Sequence, residues 1–161
     1  MKILVHLEHD GAGLRQGALS ALSFAREVAK ETGGSVQGIV LGAGLDAVAA
    51  DALRYASVLV ADDPALDALV AGAHAHAIAA AVESGGFDVL VGTSTSATKD
   101  TLGRAGGLLG GYMASDVVGH EVRDGALFLR RPMFAGSAIA TVKLCGGPQV
   151  ITVRDSSYEP S

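Results

Sequence analysis

The chain has no tryptophan, one cysteine, four prolines, and only four Phe and three Tyr among 161 residues. So few rings argue against an aromatic-lined binding groove and for closely packed helices on a sheet. The lone Cys145 excludes an internal disulfide and fits a reducing compartment. Basic runs are missing too: beyond Arg130-Arg131 no Lys or Arg cluster occurs, and the net charge is −5. Without a basic face to neutralise phosphates, nucleic-acid binding is not expected. Nor is a membrane span. The longest apolar tract, residues 66–82, is mostly Ala and carries Asp67, His74 and His76, so it reads as a helix within a globular protein. The N-terminal apolar stretch is too short for a signal peptide and is interrupted by His6 and Glu8, so the expected location is cytoplasmic.

What the chain does have is aliphatic mass. Hydrophobic residues make up 49% of it, chiefly Ala, Val and Leu, enough for one domain that buries roughly two-thirds of its unfolded surface. The 22 glycines sit at element ends without a short period, which indicates neither collagen nor disorder. Patterning then predicts strands at 2–7, 36–41, 57–61 and 88–92, and helices at 20–32, 46–55, 66–84 and 99–109. Beyond residue 109 the pattern changes: 117–122, 126–133, 138–144 and 149–153 are strand-like, with no helix between them. The expected fold is therefore α/β, a doubly wound parallel sheet with an antiparallel C-terminal extension. Residues 1–154 form the domain and residues 155–161 a polar, loose tail.

In such sheets the functional crevice lies beyond the carboxyl ends of the strands. Gly11, Gly13 and Gly17 follow the first strand there, but Glu8-His9-Asp10 intervene and place carboxylates where a pyrophosphate would sit, so a dinucleotide fingerprint fits poorly. His6, Glu8 and His9 raise the idea of a metal, yet a solvated strand end accounts for them more simply. His74 and His76, two apart on a helix, point to different faces. The most chemical stretch is Gly92-Thr93-Ser94-Thr95-Ser96-Ala97-Thr98-Lys99-Asp100, where hydroxyls and amides gather at a helix N-terminus. That pattern suits an anion, and it equally suits helix capping. A candidate nucleotide or anion pocket thus comprises Glu8, His9, Asp10, Gly11, Gly92, Thr93, Ser94 and Thr95. No catalytic constellation of side chains is evident; Cys145 on an apolar strand reads as a small packing residue.

Several segments together resemble the α subunit of electron-transfer flavoproteins, in its N-terminal domain. They are Ile3 to Gly11, Val58-Leu59-Val60-Ala61-Asp62-Asp63-Pro64, Lys99-Asp100 with Arg104, and Ser115-Asp116-Val117. The most specific is Arg131-Pro132-Met133-Phe134-Ala135-Gly136-Ser137-Ala138-Ile139-Ala140-Thr141-Val142-Lys143, followed by Val150-Ile151-Thr152-Val153-Arg154. The resemblance implies a Rossmann-like fold of the adenine nucleotide alpha hydrolase-like kind. It also implies a scaffold role: pairing with a β-like subunit and supporting a flavin-bearing domain. Because that flavin domain follows this one in the family and is not found here, a stand-alone relative is expected. FAD would then sit in a partner chain, with no FAD contact carried over and no cofactor in this chain. Gly103, where the family commonly has Pro, marks a divergence. On this reading Arg104, Arg131, Pro132, Phe134 and Gly136 are interface candidates, although Pro132 and Gly136 equally serve to shape a β-bend. Two other readings stay open: an AMP- or ATP-binding module, since the related β subunit holds AMP, and a homodimer that turns the same surface on itself.

Overall fold

The computed structural model describes residues 1–160. Its centre is a six-stranded, wholly parallel sheet in the order β3-β2-β1-β4-β9-β5. These strands are β1 (Lys2–His6), β2 (Ser35–Gly42), β3 (Val58–Asp62), β4 (Val89–Thr93), β5 (Tyr112–Val117) and β9 (Gln149–Val153). The order reverses between β1 and β4, so the loops after these two strands diverge and leave a crevice at the carboxyl edge.

Alternation along the strands assigns two cores. Ile3, Val5, Val40, Val89, Val91 and Ile151 face α1 (Gln16–Thr32) and α2 (Asp46–Ala52). Leu4, Ile39, Leu41, Leu90 and Val150 face α3 (Ala71–Gly85) and α4 (Ser96–Leu109). Successive strand residues point to opposite sides, so a covered sheet needs apolar residues at both parities; β4 is buried along its whole length. Helices α1, α3 and α4 each close on a left-handed glycine, Gly33, Gly86 and Gly110 in turn.

The late strands divide between two sheets. β6 (Gly119–Arg123), β7 (Ala126–Met133) and β8 (Ala138–Val142) form a separate antiparallel sheet, in which the two-residue Asp124-Gly125 turn links β6 to β7 with both residues at positive φ. Leu127 and Leu129 of β7 join the core on the α1 side. The closing strand β9 returns to the parallel sheet between β4 and β5.

Local boundaries moved for physical reasons. The expected strand 117–122 is two strands: β5 ends at Val117, and Gly119 begins β6 in the other sheet. The chain changes sheets at Asp116, a non-glycine residue with φ 60°, where the β5–β9 register also shifts. Helix α3 starts later than expected because Asp63 caps a 3₁₀ turn, Pro64–Leu66, and the chain reaches Ala71 before winding again. Within residues 155–160, a segment expected to be loose, Tyr158 packs into the core. Tyr158 is buried against Phe24 and His120, and its carbonyl accepts the Ser20 hydroxyl at 2.6 Å. Among the described residues no helix is long and apolar enough to cross a membrane.

Candidate functional site

Near the switch point, the ends of β1 and β2 and the start of α4 open into a cleft of about 500 Å3. Its floor comes from the end of β1 and the residues that follow it, His6 to Gly11. One wall is the start of α4, with Thr95, Ala97, Thr98 and Thr101. The other is Leu41 to Ala43 with the segment before α3.

Glu8 organises this floor. Its Oε1 accepts the hydroxyls of both Thr95 and Thr98. Thr95 is the N-cap of α4, and its Oγ1 also accepts the Thr98 amide at 3.2 Å. The carboxylate therefore rests at the positive end of a helix dipole, where a bound anion would otherwise sit. Because the one Thr98 hydroxyl proton goes to Glu8, its oxygen accepts from His6 Nδ1, 3.5 Å away. His6 is buried, and burial lowers its pKa to about 4; Glu8 opposes that shift, while His74 and His9 add to it. The imidazole is thus neutral at physiological pH.

The other residues of the loop after β1 hold its shape. His9 Nε2 lies 2.7 Å from the Leu41 carbonyl, while its Nδ1 accepts the Gly11 amide at 3.1 Å. Asp10 accepts the amides of Ala12 and Gly13, which hold its pKa below the usual carboxylate range. Asp51 of α2 receives the Leu14 amide at 2.8 Å. These bonds account for the long excursion between β1 and α1 and explain why no direct strand-to-helix glycine turn forms.

Of the eight pocket candidates, Glu8, His9, Asp10, Gly11 and Thr95 line the cleft. Gly92, Thr93 and Ser94 do not. Gly92 is covered by α4, where a Cβ would come 2.6 Å from Thr98 Cγ2 and 2.8 Å from Leu102 Cδ1. Thr93 is buried on the opposite face against Gly17. Ser94 donates to Thr152 Oγ1 at 2.7 Å and accepts the Asp116 amide, tying β4, β9 and β5 together. His6, Glu8 and His9 do not converge as metal ligands, and His6 is buried rather than a solvated strand end.

Sequence reasoning missed Arg15, Asp67, Leu69 and His74 as cleft residues. His74 is buried, its Nε2 lies 3.1 Å from the Leu66 carbonyl, and its Nδ1 has no partner among the described residues. The spacing of His74, Ile78 and Val82 on the buried stripe of α3 was the legible signal. His76, as expected, is on the exposed side.

The interface candidates are spread over two places. Arg104 lies on exposed α4 surface, paired with Asp100 at 2.9 Å, on the far face of the sheet from β7. Arg131 donates to the Ser115 carbonyl at 2.9 Å and so fastens β7 to β5. Beside it, Arg154 grips Asp116 with two hydrogen bonds at 2.9 and 2.5 Å, which lowers the Asp116 pKa. Pro132 sits half-buried opposite Ile139 in the β7–β8 ladder. At the hairpin tip, Phe134, Ala135 and Gly136 all have positive φ, and the Phe134 side chain is 79% exposed.

Comparison with known proteins agrees with this architecture. The electron transfer flavoprotein domain family matches residues 3–161. The electron transfer flavoprotein subunit alpha of Pseudomonas aeruginosa is 33% identical over 162 residues, covering 99% of this chain and 50% of that protein. The corresponding subunit of Bradyrhizobium diazoefficiens is 34% identical over 160 residues, with 98% and 48% covered. The mitochondrial alpha subunit of Oryza sativa subsp. indica is 30% identical over 166 residues, with 98% and 45% covered. The chain spans about half the length of the curated relatives it matches. A match over nearly every residue leads to one conclusion: the chain belongs to the electron transfer flavoprotein domain family.

Proposed function

We propose that this protein is a scaffold component of an electron-transfer flavoprotein-type complex, docking a β-like subunit and supporting a domain that carries FAD. The observation that carries this reading is the β7–β8 hairpin. It presents Phe134 and Ile139 at 79% and 55% exposure, beside a backbone that holds three consecutive residues at positive φ. Left-handed conformations at Phe134 and Ala135 are each unfavourable by about 1 kcal/mol or more, and they leave an aromatic ring in water. A monomer gains nothing from that arrangement, whereas a partner surface would bury the ring. Arg131, Pro132 and Gly136 then act as the support of the hairpin, through the Ser115 bond, the ladder position and the bend. In this reading the redox chemistry resides in the flavin, and the contribution of this chain is geometric.

The test is co-expression with the β-like subunit and flavin-bearing chain of the same source, followed by purification and a visible spectrum. A yellow complex that contains this chain, and that Phe134→Asp disperses while leaving the melting temperature unchanged, is the expected result. A complex indifferent to Phe134→Asp would remove the hairpin from the interface. Self-association that the same substitution abolishes would assign the surface to a second copy instead. The nucleotide reading is disfavoured by Glu8, which already holds the anion position at α4.

A further inference from the structure

The docking role leaves the cleft at the ends of β1 and β2 unused, and its chemistry is specific. Three carboxylates, Glu8, Asp10 and Asp67, border it, against one permanent cation, Arg15. The buried His6 imidazole is neutral and does not offset them. A phosphate-bearing ligand would therefore enter a field of the wrong sign and find the α4 N-terminus already taken by Glu8. A cation meets the opposite situation. Both hydroxyl donors converge on Glu8 Oε1, and Oε2 receives no donor among the described residues, so the carboxylate is fixed in place with one oxygen open. Across from it, Leu41, Leu66 and Leu69 supply an apolar wall, and the buried His74 next to them has a ring nitrogen without a partner among the described residues. The volume, about 500 Å3, lies within the range of small-molecule sites.

We propose that this cleft binds a small organic cation, an amine or guanidine on a short apolar stem, with Glu8 as its counter-ion. Glu8 is held by the chain before any ligand arrives, so little ordering opposes binding. Asp67 adds to the attraction from the rim of the cleft.

The probe is agmatine, titrated calorimetrically into the full chain at low salt, with AMP run in parallel. Saturable one-to-one binding of agmatine, reduced at least tenfold by Glu8→Gln, with no heat from AMP, is the expected result. The Gln amide oxygen can still accept both threonine hydroxyls, so the variant keeps the α4 cap, which its melting temperature checks. Should Glu8→Gln fail to fold, Asp67→Asn carries the test: that exposed residue lies outside the threonine network, and its loss should weaken agmatine several-fold. No saturable agmatine binding, binding unchanged in whichever of these variants folds, or AMP binding more tightly than agmatine would each overturn the assignment.

Discussion

His6 makes a quantitative claim about acid stability. The side chain is buried at the end of β1, and burial brings its pKa from 6.5 to about 4. In the unfolded chain the same imidazole takes up a proton near pH 6.5. Between pH 6.5 and 4 the unfolded state thus binds more protons than the folded state, and stability falls as the solution is acidified. The gap is worth about 3 kcal/mol at the acid extreme, and about 2 kcal/mol of it is lost by pH 5. Asp10 and Asp116 have lowered values and behave otherwise. Their stabilisation is present above the usual carboxylate range and disappears only as pH drops through their folded values, below this window. Urea unfolding at pH 7.5, 6 and 5 measures the slope, and His6→Leu isolates the residue. Wild type should lose about 2 kcal/mol more than His6→Leu between pH 7.5 and 5. Parallel losses in the two proteins would refute the claim that His6 is held neutral.

Other consequences follow from packing. Tyr158→Ala should cost about 3 kcal/mol in urea unfolding, because the ring fills space between Phe24 and His120. Tyr158→Phe should cost only about 1 kcal/mol, the Oη–His120 hydrogen bond of 2.6 Å being lost while the packing stays. If the Ala variant unfolds like wild type, the C-terminal anchor is not part of the cooperative unit. Gly92→Ala should cost about 1–3 kcal/mol, since the new methyl meets Thr98 and Leu102 and must displace α4. Calorimetric melting checks it, and an unchanged melting temperature would show that α4 shifts freely. Phe134→Asp, at a ring 79% exposed, should leave monomer stability within about 0.5 kcal/mol of wild type by urea unfolding. A larger loss would place Phe134 in the fold rather than at an interface.

Much of this architecture is legible in the residues, and the exceptions have a common cause. Aliphatic runs such as Val89-Leu90-Val91 declare a strand covered on both faces, and Gly33, Gly86 and Gly110 mark where helices must stop. Local pattern does not reveal which sheet a strand joins. Tyr112 to Asp116 is partly polar and follows two glycines, and no strand is predicted there from pattern; it becomes β5 because Ser94 and Thr152 receive the Asp116 amide and β9 supplies a ladder. Glu8 shows the same limit at the cleft. Its place after β1 is plain in the sequence, and so is the hydroxyl-rich start of α4. That the two satisfy each other depends on β4 lying beside β1, a pairing of residues more than eighty positions apart. The hydroxyl-rich start of α4 thus meets a carboxylate of the chain itself, Glu8. The gathering of carboxylates at the cleft, Glu8 among them, is therefore visible only in the assembled site, whereas the hydroxyl-rich segment read alone suits an anion.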